Sequence, residues 1–135
     1  MQKKFLQALF VTTSLLLPLG GAQAEDGPHV EPMKAFLAAQ VAPWLADATI
    51  IDAVKAQNAK HAALSQADID ALDKTWRAEV DASSRPLVES VLSTPLSKFL
   101  TEKKDATNGA ITEVFVMDDK GLNVGQSDVT SDYWQ

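Results

Sequence analysis

"EVFVMDDKGLNVGQSDVTSDYWQ", residues 113–135, is the stretch that decides the fold. From Ile111 to Met117 the chain reads ITEVFVM, rich in β-branched and aromatic side chains and apolar on both faces after Glu113. That pattern belongs to a strand covered on both sides. Asp118-Asp119-Lys120-Gly121 follows, with two turn-forming acids and a glycine placed to take the left-handed conformation that closes a short hairpin loop. Residues 122–126 then read as the returning strand, weakened at Gly125, where a bulge or a close backbone approach is expected.

Upstream the apolar period changes from two to between three and four. Across residues 31–58, Met33, Phe36, Leu37, Val41, Trp44, Leu45, Ile51 and Val54 lie on one stripe of a long amphipathic helix. Pro43 removes a backbone donor inside it and should bend or divide it. Ser65-Gln66-Ala67-Asp68 has the form of a capping box and should open a second helix carrying Ile69, Leu72, Trp76 and Val80 as far as Asp81. Arg85-Pro86 ends that run and opens a third helix. Pro95 opens a last short one bearing Leu96, Phe99 and Leu100, and residues 101–108 read as a polar connection with a turn at Asn108-Gly109. The fold class is therefore α+β: a long N-terminal helix and further helices packed on an antiparallel β-hairpin, with Trp76 and Phe115 expected in the core.

Residues 1–24 read as an address. Lys3 and Lys4 precede a mostly apolar run that Pro18, Gly20 and Gly21 break, and Ala22-Gln23-Ala24 places small residues where a signal peptidase accepts them. The run falls short of the roughly 20 residues a spanning helix needs. Cleavage after Ala24 is expected, leaving residues 25–135 periplasmic or secreted with no stable membrane anchor. No cysteine follows the small residues, which excludes a lipid anchor at this site, and the whole chain has none. Disulfides are thus excluded and stability must come from packing. The chain carries a formal charge of −6, and loss of the two leader lysines makes it more acidic still. Such a chain lacks the basic footprint that nucleic acid or an anionic membrane surface requires.

Catalytic patterns are sparse. Gly125-Gln126-Ser127-Asp128-Val129 lacks the second glycine of a nucleophile elbow, and cysteine chemistry is impossible. His29 and His61 are the two candidate general bases, and both read as solvated surface residues. A calcium loop built on Gly121 would need an oxygen ligand at Val116, so that match fails. No phosphate-binding glycine loop, metal set or cofactor motif is present, and the expected function is non-enzymatic.

The terminal segment is different. Gln126, Ser127, Asp128, Thr130, Ser131 and Asp132 crowd hydrogen-bonding groups beside Tyr133 and Trp134. Aromatic walls with a few orienting polar groups suit a small polar ligand, and the same two rings equally suit a plug for the end of the hairpin core.

With a leader, a helix containing PWLADATIIDAVKAQN, a hairpin reading VFVMDDKGLNVGQS and a terminal SDYW, the chain resembles the Cache (PDC-type, PAS-like) extracytoplasmic sensor domains over roughly residues 37–135. Trp44 with Ile50-Ile51, Gln57-Asn58 and residues 114–127 carry the likeness most specifically. The resemblance implies a long helix packed on an antiparallel sheet and signal transduction by a small organic ligand of the amino acid or carboxylate class, held between the sheet and an overlying segment. Carried over by position, its ligand-binding residues are Gln126, Ser127, Ser131, Asp132, Tyr133 and Trp134. The arginine that often precedes the tryptophan in amino-acid-binding relatives is missing. Two strands are readable where such a sheet has about five, so residues 25–135 are expected to be the front part of a longer domain. The alternative is an interaction protein that docks on a membrane-bound receptor or forms a homodimer through its long helix.

Overall fold

The computed structural model describes residues 27–135, so the leader of residues 1–24 lies outside the described residues. The fold is α+β. Helices α1 (Val30–Phe36), α2 (Ala42–Leu45), α3 (Ala48–His61), α4 (Gln66–Glu79), α5 (Pro86–Leu92) and α6 (Pro95–Asp105) precede an antiparallel pair, β1 (Phe115–Met117) and β2 (Asn123–Gln126).

The single long helix expected over residues 31–58 is three helices. A π-helical segment, Leu37–Val41, joins α1 to α2 directly ahead of Pro43, whose missing N–H interrupts the regular ladder. The larger break follows α2: the axes of Val30–Leu45 and Ala48–His61 differ by 64°. Its local cause is Asp47, an extended residue whose side chain accepts from the Thr49 N–H at 2.8 Å and so starts a new helix. The expected single stripe is broken accordingly. Trp44 and Ile50 are buried, whereas Met33, Leu37, Leu45 and Ile51 are exposed. Among the described residues no single helix is long and apolar enough to cross a membrane.

Helix α4 begins at the expected capping box: Ser65 Oγ accepts from the Asp68 N–H, and the Asp68 carboxylate accepts from the Ser65 N–H. It ends at Glu79, and that last residue has a second role. One Glu79 carboxylate oxygen accepts from the Leu87 and Val88 N–H groups at 2.7 and 3.0 Å, capping α5 from the neighbouring helix. Helix α6 starts on a Thr94 cap with Pro95 in its first turn, and it runs through the polar residues to Asp105, longer than its apolar content predicts.

Strand β1 is shorter than the apolar run. Thr107 Oγ1 holds the Ile111 N–H at 3.0 Å, keeping the start of the run in the turn after α6, where Asn108 and Gly109 have positive φ. Pairing begins where the Ser127 N–H donates to the Val114 carbonyl at 2.8 Å. Phe115 and Val116 face Gln126 and Gly125, but Met117 faces Asn123, so Val124 is the extra residue of a bulge. Gly125 is also the expected close approach: a Cβ there would lie 2.6 Å from Leu96 Cγ. The turn closes with Gly121 at φ +83°.

Two apolar clusters flank β2. Ile69, Trp76, Val88, Val91, Leu122 and Tyr133 make one; Trp44, Ile50, Leu96, Leu100 and Val124 make the other. Trp76 is the fully buried centre of the first. Phe115, expected beside it in the core, is only half-buried; its neighbours Val114 and Val116, also half-buried, are the residues of this stretch that pack against the second cluster, and Phe115 belongs to neither.

Candidate functional site

Helix α3 sets one wall of a groove. Its positions 48, 49, 52, 53, 56, 57 and 60 recur at helical spacing, and three of them are alanines, so the helix faces its neighbour across a strip with little side-chain volume. The opposite wall is the start of α6, Thr94, Pro95 and Leu96, and the floor is Val124 beside Leu96. The space holds about 670 Å³, within the size range of small-molecule sites. Its base is apolar, and Asp52, Gln57 and Lys60 put one anion, one amide and one cation on its rim.

Gln57 links this groove to the hairpin. Its amide nitrogen lies 3.0 Å from Asp118 Oδ2 and 3.1 Å from the Asn123 carbonyl. One turn further along α3, His61 Nδ1 lies 2.8 Å from the same Asp118 oxygen, with both side chains inside the protein. His61 is thus no solvated surface residue, since α3 carries it under the hairpin turn. Asp118 is a turn former, as expected: its other oxygen accepts from the Lys120 and Leu122 N–H groups, each at 2.9 Å. Burial works to raise the Asp118 pKa, but the hydrogen bonds from Gln57, the Leu122 N–H, His61 and the Lys120 N–H outweigh it and hold the carboxyl below its ordinary value. Asn58 adds another tie, accepting from the Asp119 N–H at 3.0 Å.

The six residues singled out by sequence are dispersed, and none lines the groove. Gln126 and Ser127 are buried in and after β2; Ser127 Oγ accepts from the Val114 N–H and donates to Asp128. Tyr133 is the plug that its composition allowed: its ring stacks on Trp76 with centroids 5.2 Å apart and planes 15° apart. Burial first, and the Asp118 charge second, push its phenol up to about 12. Trp134 is 40% exposed, and its indole N–H donates to the Lys120 carbonyl at 3.0 Å. Ser131 lies on the surface beside Asp132, which pairs with Arg77 at 2.9 Å. The segment is fastened rather than open. Asp73 Oδ1 accepts from the Tyr133 and Trp134 N–H groups, and the Asn123 N–H donates to the Tyr133 carbonyl.

Sequence reasoning missed Asp52, Lys60 and His61 as parts of one region. A signal for His61 existed: it stands four residues after Gln57 on the same face of α3, and an acid closes the turn that this face meets. Asp52 and Lys60 carry no comparable signal, because alanines rather than functional groups create the space between them. No group of three or more metal-ligating side chains occurs among the described residues. No family model matches the chain, nor does any curated protein or solved structure.

Proposed function

We propose that this chain is a non-enzymatic, Cache-type ligand-binding or sensory module that holds a small organic molecule of the amino acid or carboxylate class in the groove between α3 and α6. The observation that carries this reading is the groove's construction: an apolar floor of Leu96 and Val124 under a rim that bears both charges. Lys60 supplies the counter-charge for a carboxylate that the absent arginine would otherwise provide, and Asp52 suits an ammonium group. They stand eight positions apart on α3, about 12 Å along its axis. The floor takes the carbon skeleton between them. Gln57 then joins ligand to fold, since it borders the groove and also holds the hairpin turn. Export by the leader of residues 1–24 would place this binding in the periplasm or outside the cell.

Thermal shift of residues 25–135 against a panel of amino acids and organic acids tests the proposal. At a ligand concentration of 100 Kd the stabilisation is about 2.7 kcal/mol. Ala56→Trp, an exposed substitution that fills the groove, should abolish the shift, and Lys60→Ala should weaken a carboxylate about tenfold or more. A panel without effect, or a shift untouched by Ala56→Trp, would remove the groove as the site.

A second reading rests on a different observation. Met33, Leu37 and Leu45, 57%, 51% and 54% exposed, form an uncovered apolar set on α1, the π-helical segment and α2. They fit docking on a membrane-bound receptor or formation of a homodimer. Trp44 is not part of that surface, because it packs with Leu96 and Val124. Light scattering separates the dimer: Leu37→Glu should dissociate it, and a monomer at all concentrations would leave only the receptor.

A further inference from the structure

Three residues apart on a regular strand, Asn123 and Gln126 would point to opposite faces. The bulge at Val124 turns them to the same face, and Asn123 Nδ2 lies 3.0 Å from Gln126 Oε1. Two more acceptors surround that nitrogen, Thr130 Oγ1 at 3.0 Å and the Asp132 carbonyl at 3.2 Å. The Asp132 carbonyl can only accept, and the Thr130 hydroxyl spends its hydrogen on that same carbonyl at 2.6 Å, so these two fixed acceptors determine which end of the Asn123 amide carries hydrogens, and its bond to Oε1 then determines the orientation of Gln126. The far ends follow: Asn123 Oδ1 is an acceptor and Gln126 Nε2 a donor. Both side chains are fully buried, and neither far atom has a hydrogen-bond partner in the protein. Folded proteins satisfy nearly all such groups, because leaving one unmet forfeits its solvation with nothing in return.

We infer that Asn123 Oδ1 and Gln126 Nε2 form a binding site for one neutral group that both donates and accepts a hydrogen bond: a water molecule, or the hydroxyl or carboxamide end of a small solute. The polar groups bonded to this amide pair are amides, hydroxyls and carbonyls, with no cation to receive a carboxylate. An ammonium would satisfy Oδ1 but has no lone pair for Nε2. The nearby Asp132 carboxylate is already engaged by Arg77. Val124 belongs to the groove floor and the amide pair bonds to Thr130, beside Trp76, so this site and the groove lie on different faces of β2. It stands whether or not the groove binds a ligand. The occupant would join β2 to the segment that returns over it, since Thr130 and the Asp132 carbonyl already converge on Asn123.

An atomic-resolution crystal structure of residues 25–135, with native mass spectrometry of the same preparation, tests the inference. Density for one group within hydrogen-bond distance of both orphan atoms is expected. Added mass identifies a retained solute; unchanged mass, with a nuclear Overhauser effect from the Gln126 side-chain amide to the water resonance, identifies water. Gln126→Met, close in shape but without the amide, should lose that density while the same density persists in the wild type. If Gln126→Met does not fold, the wild-type density and the Overhauser effect decide alone. A wild-type structure in which Gln126 swings to satisfy Asn123 directly, with no density between them, overturns the site.

Discussion

His61 Nδ1 and Asp118 Oδ2 meet at 2.8 Å inside the protein, joining the last turn of α3 to the turn of the hairpin 57 residues later. Two elements distant in sequence are thereby held by one carboxylate, which also accepts from Gln57 and from two backbone N–H groups of its own turn. Asp118→Ala leaves the donors it gathers unmet and should destabilise the fold by about 1–3 kcal/mol for each one left buried, whereas Asp118→Asn, which keeps an acceptor for the turn, should cost less. Denaturant midpoints of the two variants measure the difference.

The same carboxylate gives an acid limb with a definite sign. Its folded pKa lies below the ordinary value of 3.8, so its contribution is complete above that value and is lost as pH falls through the lower, folded-state value. Wild-type stability should fall more steeply than that of Asp118→Asn below about pH 4. Urea titrations at pH 5 and pH 3 provide the comparison, and equal losses in both proteins would contradict this role for Asp118.

Tyr133 is the chain's one tyrosine, so its ionisation can be followed by absorbance without ambiguity. With its phenol pushed up to about 12, the neutral form is favoured by folding. The resulting stability is complete below the ordinary value near 10 and declines as pH rises from there toward 12. Phenolate absorbance should emerge near pH 12 or together with alkaline unfolding, and a reversible midpoint near 10 in the folded protein would refute the buried stack.

Trp76 and Phe115 should now respond unequally. Trp76→Ala removes a fully buried ring that stacks on Tyr133 and donates to the Thr130 carbonyl, and should cost about 3–5 kcal/mol. Phe115→Ala should cost clearly less, since that ring is half-buried. Thermal or urea unfolding ranks the two.

Gly125→Ala should destabilise by about 1–3 kcal/mol through overpacking, because the added methyl meets Leu96. Leu96→Ala should itself cost about 2–5 kcal/mol. In the double variant the clash disappears, so the combined loss should be smaller than the sum of the single losses. A double-mutant cycle reads that coupling directly, and strict additivity would mean that the strand shifts to avoid Leu96.

Local chemistry was legible and distant contacts were not. The Ser65 capping box and the left-handed Gly121 depend on neighbouring residues, and each is found in its expected place; the glycine at 125 signalled a close approach, but not that Leu96 of α6 is what it meets. The division of the first helix was signalled by Pro43, but the sharper break lies at Asp47, whose Asp-Ala-Thr cap is an equally local sign that the continuous apolar stripe hid. His61 and the groove depend on which elements meet. The alanines of α3 read as helix filler until α6 stands opposite them. For the terminal aromatics, composition allowed a plug or a pocket wall; the tertiary contact with Trp76 makes Tyr133 a plug, while Trp134 folds its edge over the hairpin turn.

Glu79 carries a consequence of another kind. Because the final residue of α4 supplies the hydrogen-bond acceptor that opens α5, α4 cannot fray at that junction without exposing the first backbone N–H groups of α5. Amide hydrogens on both sides should therefore exchange with solvent on a shared timescale, as one cooperative unit whose hinge is a single carboxylate.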